Sequence, residues 1–180
     1  MLIGVTGTHA SGKDTVSDYL KGRGFFHFSL SDAIRAECDK RKLSKDRDTL
    51  FRVGNELREK GGANVLAKMA VDAVAVNGAK NAIITSIRNP EEVKFLKRQP
   101  EFTFLTVDAP IEIRYERIKT RSRESDFVDF ETFKRQEEME MEGGENKQNL
   151  RPVMAMADHK IINDGTIEDL HNKINKILNI

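Results

Sequence analysis

The sequence predicts an α/β domain of three layers, α/β/α, built around a five-stranded parallel sheet. Three observations carry this expectation. Short apolar runs alternate with segments of helical periodicity along the whole chain, the runs are apolar enough to be buried on both faces, and the first of them ends in a glycine-rich turn that opens a helix. At 180 residues the chain can bury one substantial core, so a single domain over 1–180 is expected.

The elements follow in order. Leu2-Ile3-Gly4-Val5-Thr6 is a short strand, and Val16, Tyr19 and Leu20 mark the helix after it. Phe25 to Leu30 reads as a second strand, with Ser31-Asp32 as the N-cap of a helix running to about Lys42. Helices are predicted around Asp48 to Lys60 and Ala63 to Val76, separated by Gly61-Gly62; the second carries a stripe of Val65, Leu66, Met69, Ala73 and Val74. Ala82 to Thr85 is a third strand, Pro90 suits the first turn of a helix, and Phe102 to Val107 is a fourth strand. A helix from about Pro110 to Arg121 puts Ile111, Tyr115 and Ile118 on one face and Arg114, Arg117 and Arg121 on another. A polar stretch then runs from Arg121 to Asn149, in which Glu137 to Glu142 reads as a solvated helix face. Lys160-Ile161-Ile162 is the last strand, and Ile167, Leu170, Ile174, Ile177 and Leu178 mark a C-terminal helix.

Composition excludes several classes. Lys plus Arg number 30 against 29 Asp plus Glu, a net charge of +1, and charges are spread along the chain. That balance does not suit a dedicated nucleic-acid binder. No segment approaches the roughly 20 apolar residues of a membrane helix, and no basic segment followed by an apolar core marks a secretory signal. The single Cys38, flanked by Glu37 and Asp39, cannot form an internal disulfide. A cytoplasmic, reduced protein is the expectation, with no membrane or nucleic-acid partner and the choice of monomer or homodimer open.

Gly7-Thr8-His9-Ala10-Ser11-Gly12-Lys13 fits a phosphate loop: two glycines with four residues between them, then lysine. Glycines let successive backbone N–H groups turn toward an anion, the helix dipole adds to the field, and Lys13 reaches the β- and γ-phosphates. Gly7, His9, Ala10, Ser11, Gly12, Lys13, Asp14 and Thr15 are therefore expected around ATP, with His9 in a permissive position. Position 14 is Asp where the pattern has Ser or Thr. Asp14 either ligates Mg²⁺ through its carboxylate or holds a metal-bound water.

On these and other segments the chain resembles the P-loop nucleoside monophosphate kinase group, which includes dephospho-coenzyme A kinases and archaeal adenylate-kinase-related proteins of unassigned substrate. Besides Gly7 to Thr15, the resemblance is carried by Ser29 to Arg35, Glu56-Leu57-Arg58, Gly61-Gly62, Ile87 to Val93 and Ala157 to Gly165. It implies a P-loop NTPase fold with a helical acceptor-binding insertion at about 31–78 and a lid at about 121–150. It also implies that Arg35 and Arg88, with Asp32 and Arg58 beside them, contact the acceptor. Arg117 and Arg121, with Arg123 nearby, would close over the transferring phosphoryl group, and Asn163 to Gly165 would lie near the adenine. Lys13, Arg88, Arg117 and Arg121 thus form the catalytic set. Arg114 is expected on a solvated face.

The chain departs from the group at Thr85-Ser86, where many relatives carry an acid that bonds a water on Mg²⁺. Asp14 supplies the missing charge, or activity is slow, or the protein binds nucleotide without efficient transfer; Asp108 and Asp32 are further candidate partners. The expected activity is ATP- and Mg²⁺-dependent phosphoryl transfer to a nucleoside or deoxynucleoside monophosphate. The alternatives are a dephospho-coenzyme A kinase or a nucleotide-binding regulatory protein.

Overall fold

Buried strands need apolar side chains on both faces, and the central strands here have them. In the computed structural model, which describes residues 1–121, 129–142 and 149–180, β1 (Leu2–Gly7) is buried from Ile3 onward and β3 (Ala82–Thr85) throughout. With β2 (Phe26–Ser29), β4 (Phe102–Asp108) and β5 (His159–Ile162) they form one sheet in the order β2-β3-β1-β4-β5. Every pairing is parallel.

Alternation along the strands divides the core in two. Ile3, Val5, Ile83, Leu105, Val107 and Ile161 point to one face, against α1 (Lys13–Gly22) and α9 (Ile167–Leu178). Ile84 and Phe104 point to the other. There they meet α2 (Leu30–Lys40), α3 (Arg47–Gly61), α4 (Val65–Asn77), α5 (Pro90–Leu96) and, through Val153, α8 (Leu150–Ala155). Two further helices among the described residues, α6 (Ile111–Arg121) and α7 (Phe130–Met141), meet through Tyr115 against Phe130 and Phe133. Cys38 is buried in the second cluster.

Local signals set the helix ends. Asn89 and Glu92 close a capping box around Pro90 at the start of α5, and Thr166 and Asp169 do the same for α9. Asp46 caps α3 by accepting from the Thr49 N–H. Two boundaries differ from the sequence expectation. Strand β2 ends at Ser29 and α2 begins at Leu30, so Asp32 stands in the first turn of α2 rather than at its cap. The stretch read as polar from Arg121 to Asn149 contains α7, and α8 follows it. Of the expected lid at about 121–150, residues 122–128 and 143–148 lie outside the described residues. No helix among the described residues is long and apolar enough to cross a membrane.

The order β2-β3-β1-β4-β5 has a switch point. The chain leaves β1 toward β2 on one side and returns through β3 to β4 on the other, so the carboxyl ends of β1 and β4 open a crevice of the kind that binds ligands in open α/β sheets.

Candidate phosphate-binding site

The loop at the end of β1 takes positive φ at Gly7 (143°), Ala10 (60°) and Gly12 (103°). At Gly7 a Cβ would overlap the Val107 carbonyl oxygen of the paired strand, so only glycine fits. Three side-chain hydrogen bonds tie the loop to its surroundings. Thr8 Oγ1 donates to Asp108 Oδ1 at 2.8 Å, Asn163 Nδ2 donates to the Ser11 carbonyl at 2.8 Å, and Arg114 Nη1 donates to the His9 carbonyl at 3.3 Å. From within, Lys13 Nζ donates to the Thr8 carbonyl. The Ser11 hydroxyl is buried with no hydrogen-bond partner.

Burial pushes the Lys13 ammonium down to about 8; the Arg88 charge lowers it further, Asp14 and Glu140 pull it back up, and Arg114 lowers it. Lys13, Arg88 and Arg114 therefore share one electrostatic neighbourhood at the crevice. Arg114 is buried rather than solvated, which corrects the sequence expectation: its Nε donates to the Ala109 carbonyl at 2.7 Å and its Nη2 to Glu137 Oε1 at 2.8 Å. Arg88 Nη1 lies 3.4 Å from Glu140 Oε1. Glu137 and Glu140 thus face the site from α7, one helical turn apart, while Met139 is exposed. The solvated-face reading of Glu137 to Glu142 holds for Glu138, Met139 and Glu142 only.

Other expected residues fall into three groups. Arg117 Nη2 donates to the Asn163 carbonyl at 3.0 Å, and Asn163 in turn braces the loop, so both stand at the site; Gly165 is exposed in the turn before α9. Arg35 pairs with Asp32 at 3.1 Å on the exposed flank of α2. Arg58 has different contacts from those expected. It is 2% exposed and donates through Nε and Nη2 to Glu92 Oε1, while Glu92 Oε2 accepts the N–H groups of Arg88 and Asn89. It supports the backbone that carries Arg88. The side chain of Arg121, and Arg123 altogether, lie outside what the structure describes.

The acid missing at the end of β3 is replaced by neutral groups. Thr85 Oγ1 is 2.8 Å from His27 Nε2, and Ser86, at φ 62°, brings its hydroxyl 3.3 Å from that of Ser29. Asp14 is exposed in the first turn of α1, and Asp108 is engaged by Thr8 and the Ala109 N–H. Among the described residues no three His, Cys, Asp or Glu side chains gather to hold a metal. These groups suit a cation only where phosphate oxygens would complete its shell.

Comparison with known proteins agrees with this arrangement. A family model described as an AAA domain matches residues 3–143. The chain is 34% identical to a UPF0200 protein of Thermococcus gammatolerans over 183 aligned residues, covering 99% of this chain and 94% of the relative. It belongs to the UPF0200 family. Among solved structures, TT1252 from Thermus thermophilus superposes with a TM-score of 0.63 at 22% identity, covering 99% of this chain and 96% of that one. Shikimate kinase from Bacteroides thetaiotaomicron gives 0.63 at 13% identity, covering 100% and 99%. At these identities the likeness establishes the fold. This UPF0200 protein has the α/β P-loop NTPase fold, as the sequence resemblance implies.

Proposed function

We propose that the protein transfers a phosphoryl group from ATP to a nucleoside or deoxynucleoside monophosphate. The observation that carries this reading is the convergence of Lys13, at the start of α1 after β1, and Arg88, just past β3, in one electrostatic neighbourhood. A lysine at a phosphate loop and a guanidinium at the neighbouring strand end suit two phosphate groups brought in line, and phosphoryl transfer needs chiefly positioning and charge stabilisation. In this reading Lys13 and the loop amides hold the donor, and Arg88 orients the acceptor phosphate. Arg35, hinging on its exposed pair with Asp32, adds a second contact. Arg117, tied to Asn163, flanks the donor. Mg²⁺ held with the nucleotide near Asp14 would neutralise charge on the bridging oxygens.

Purified protein with ATP, Mg²⁺ and a panel of monophosphates is expected to yield the diphosphate of at least one of them. A panel that stays at the blank ends the kinase reading, and a product only with dephospho-coenzyme A added moves the acceptor to a ribose hydroxyl. The neutral Thr85-His27 and Ser86-Ser29 pairs favour a second reading, a nucleotide-binding regulatory protein. Tight ATP binding without turnover supports that one.

A further inference from the structure

Helix α7 brings carboxylates to the crevice in a patterned way. Its inward stripe opens with Phe130 and Phe133, whose rings lie 5.1 and 5.8 Å from that of Tyr115. The stripe continues at helical spacing with Glu137 and Glu140. Glu137 engages Arg114, which the Ala109 and His9 carbonyls fix in place. Glu140 engages Arg88, with side-chain exposures of 16% and 28%. The 3.4 Å separation of that pair exceeds the roughly 2.7–2.9 Å of a strong charge-assisted hydrogen bond. A carboxylate and a phosphate both present paired oxygens to a guanidinium fork, and the phosphate dianion carries more charge and a third oxygen.

We propose that Glu140 is an internal competitor for Arg88, so that a phosphate entering this crevice takes Arg88 by exchange with the Glu140 carboxylate. The proposal rests on Arg88 being a phosphate ligand. The exchange discriminates: a phosphoryl dianion outbids the resident carboxylate, whereas a carboxylate ligand offers Arg88 nothing that it lacks. Glu137, held against the fixed Arg114, stays in place and keeps α7 docked.

The test measures dissociation constants for AMP and for inorganic pyrophosphate by calorimetry on the wild type, Glu140→Gln, Arg88→Met and the double variant. Glu140→Gln is expected to tighten both ligands about three- to fivefold, the value of releasing a partly exposed ion pair. That gain should vanish when Arg88 is Met. Glu140→Asp, which keeps the charge but withdraws the oxygens, should also tighten binding and guards against a folding defect in the glutamine variant. Unchanged or weaker binding in both Glu140 variants overturns the proposal. So does an equal gain with Arg88→Met, which would show repulsion through space, and so does a failure of every form to bind either ligand. A blank turnover panel beside an Arg88-dependent gain would end the kinase reading and leave the exchange standing.

Discussion

Lys13 is the residue on which charge, burial and function meet. An unfolded lysine titrates near 10.5 and the folded Lys13 near 8, so between these values the unfolded chain holds the proton and the folded one has released it. The cost of burying the charged ammonium is therefore in full force below pH 8. It is relieved as pH rises toward 10.5. Lys13→Met removes that cost, so the variant is expected to exceed the wild type in stability at pH 7, with the gap closing by about pH 10.5 in urea titrations. A gap that widens with pH would show that the lysine is stabilised as a cation. Phosphate binding has the opposite dependence, because it needs the protonated form: ATP affinity in the wild type should fall as pH rises above about 8, whereas any residual affinity in Lys13→Met should be flat there. A depressed lysine is a known mark of working sites, and here the depression stems first from desolvation.

At the scale of elements, the short helix α5 shows how one carboxylate can serve three parts of the fold. Glu92 is fully buried, closes the capping box with Asn89, accepts the Arg88 N–H and neutralises Arg58 of α3. Glu92→Ala is expected to cost about 3–5 kcal/mol, because it strands a buried guanidinium as well as removing a cap. Arg58→Leu combined with Glu92→Leu should recover part of that loss by denaturant unfolding. If the single variant costs under about 1 kcal/mol, the pair is not the strut described. The start of α5 was legible in the sequence, since Pro90 announces a first helical turn whatever lies around it. The inward face of α7 was not. Glu137 and Glu140 repeat at helical spacing like any solvated acidic stripe, and only the position of Arg114 and Arg88, distant in sequence, makes them inward. The burial of Arg114 is hidden from the sequence for the same reason, since helical spacing shows which residues share a face but not what that face meets. Arg58 shows the limit of resemblance, because its likeness to a substrate arginine carried no information about Glu92.

For the molecule as a whole, the sheet order is the decisive fact, and it too lies beyond sequence pattern. Parallel buried strands read as apolar runs, which identifies them as strands without saying which neighbours they take. The crossing from β3 over β1 to β4 puts the phosphate loop at the switch point and splits the apolar core into two clusters that share only the sheet. Adjacent residues sample both: Ile83 packs with α1 and α9, and Ile84 with the helices α2 to α5. Both are fully buried, so Ile83→Ala and Ile84→Ala should each cost about 2–5 kcal/mol. If the sheet couples the clusters into one cooperative unit, each variant lowers the midpoint of a single transition. The chain has no Trp and two Tyr, so in a Tyr115→Phe background Tyr19, packed against the first cluster, offers a local fluorescence signal, while far-UV circular dichroism reports both faces. The two signals are expected to coincide in that background and in both variants built on it. Were Ile84→Ala to shift the dichroism curve while the tyrosine curve stayed at the background midpoint, the helices α2 to α5 would unfold apart from the phosphate loop, and a single stability would not describe the protein.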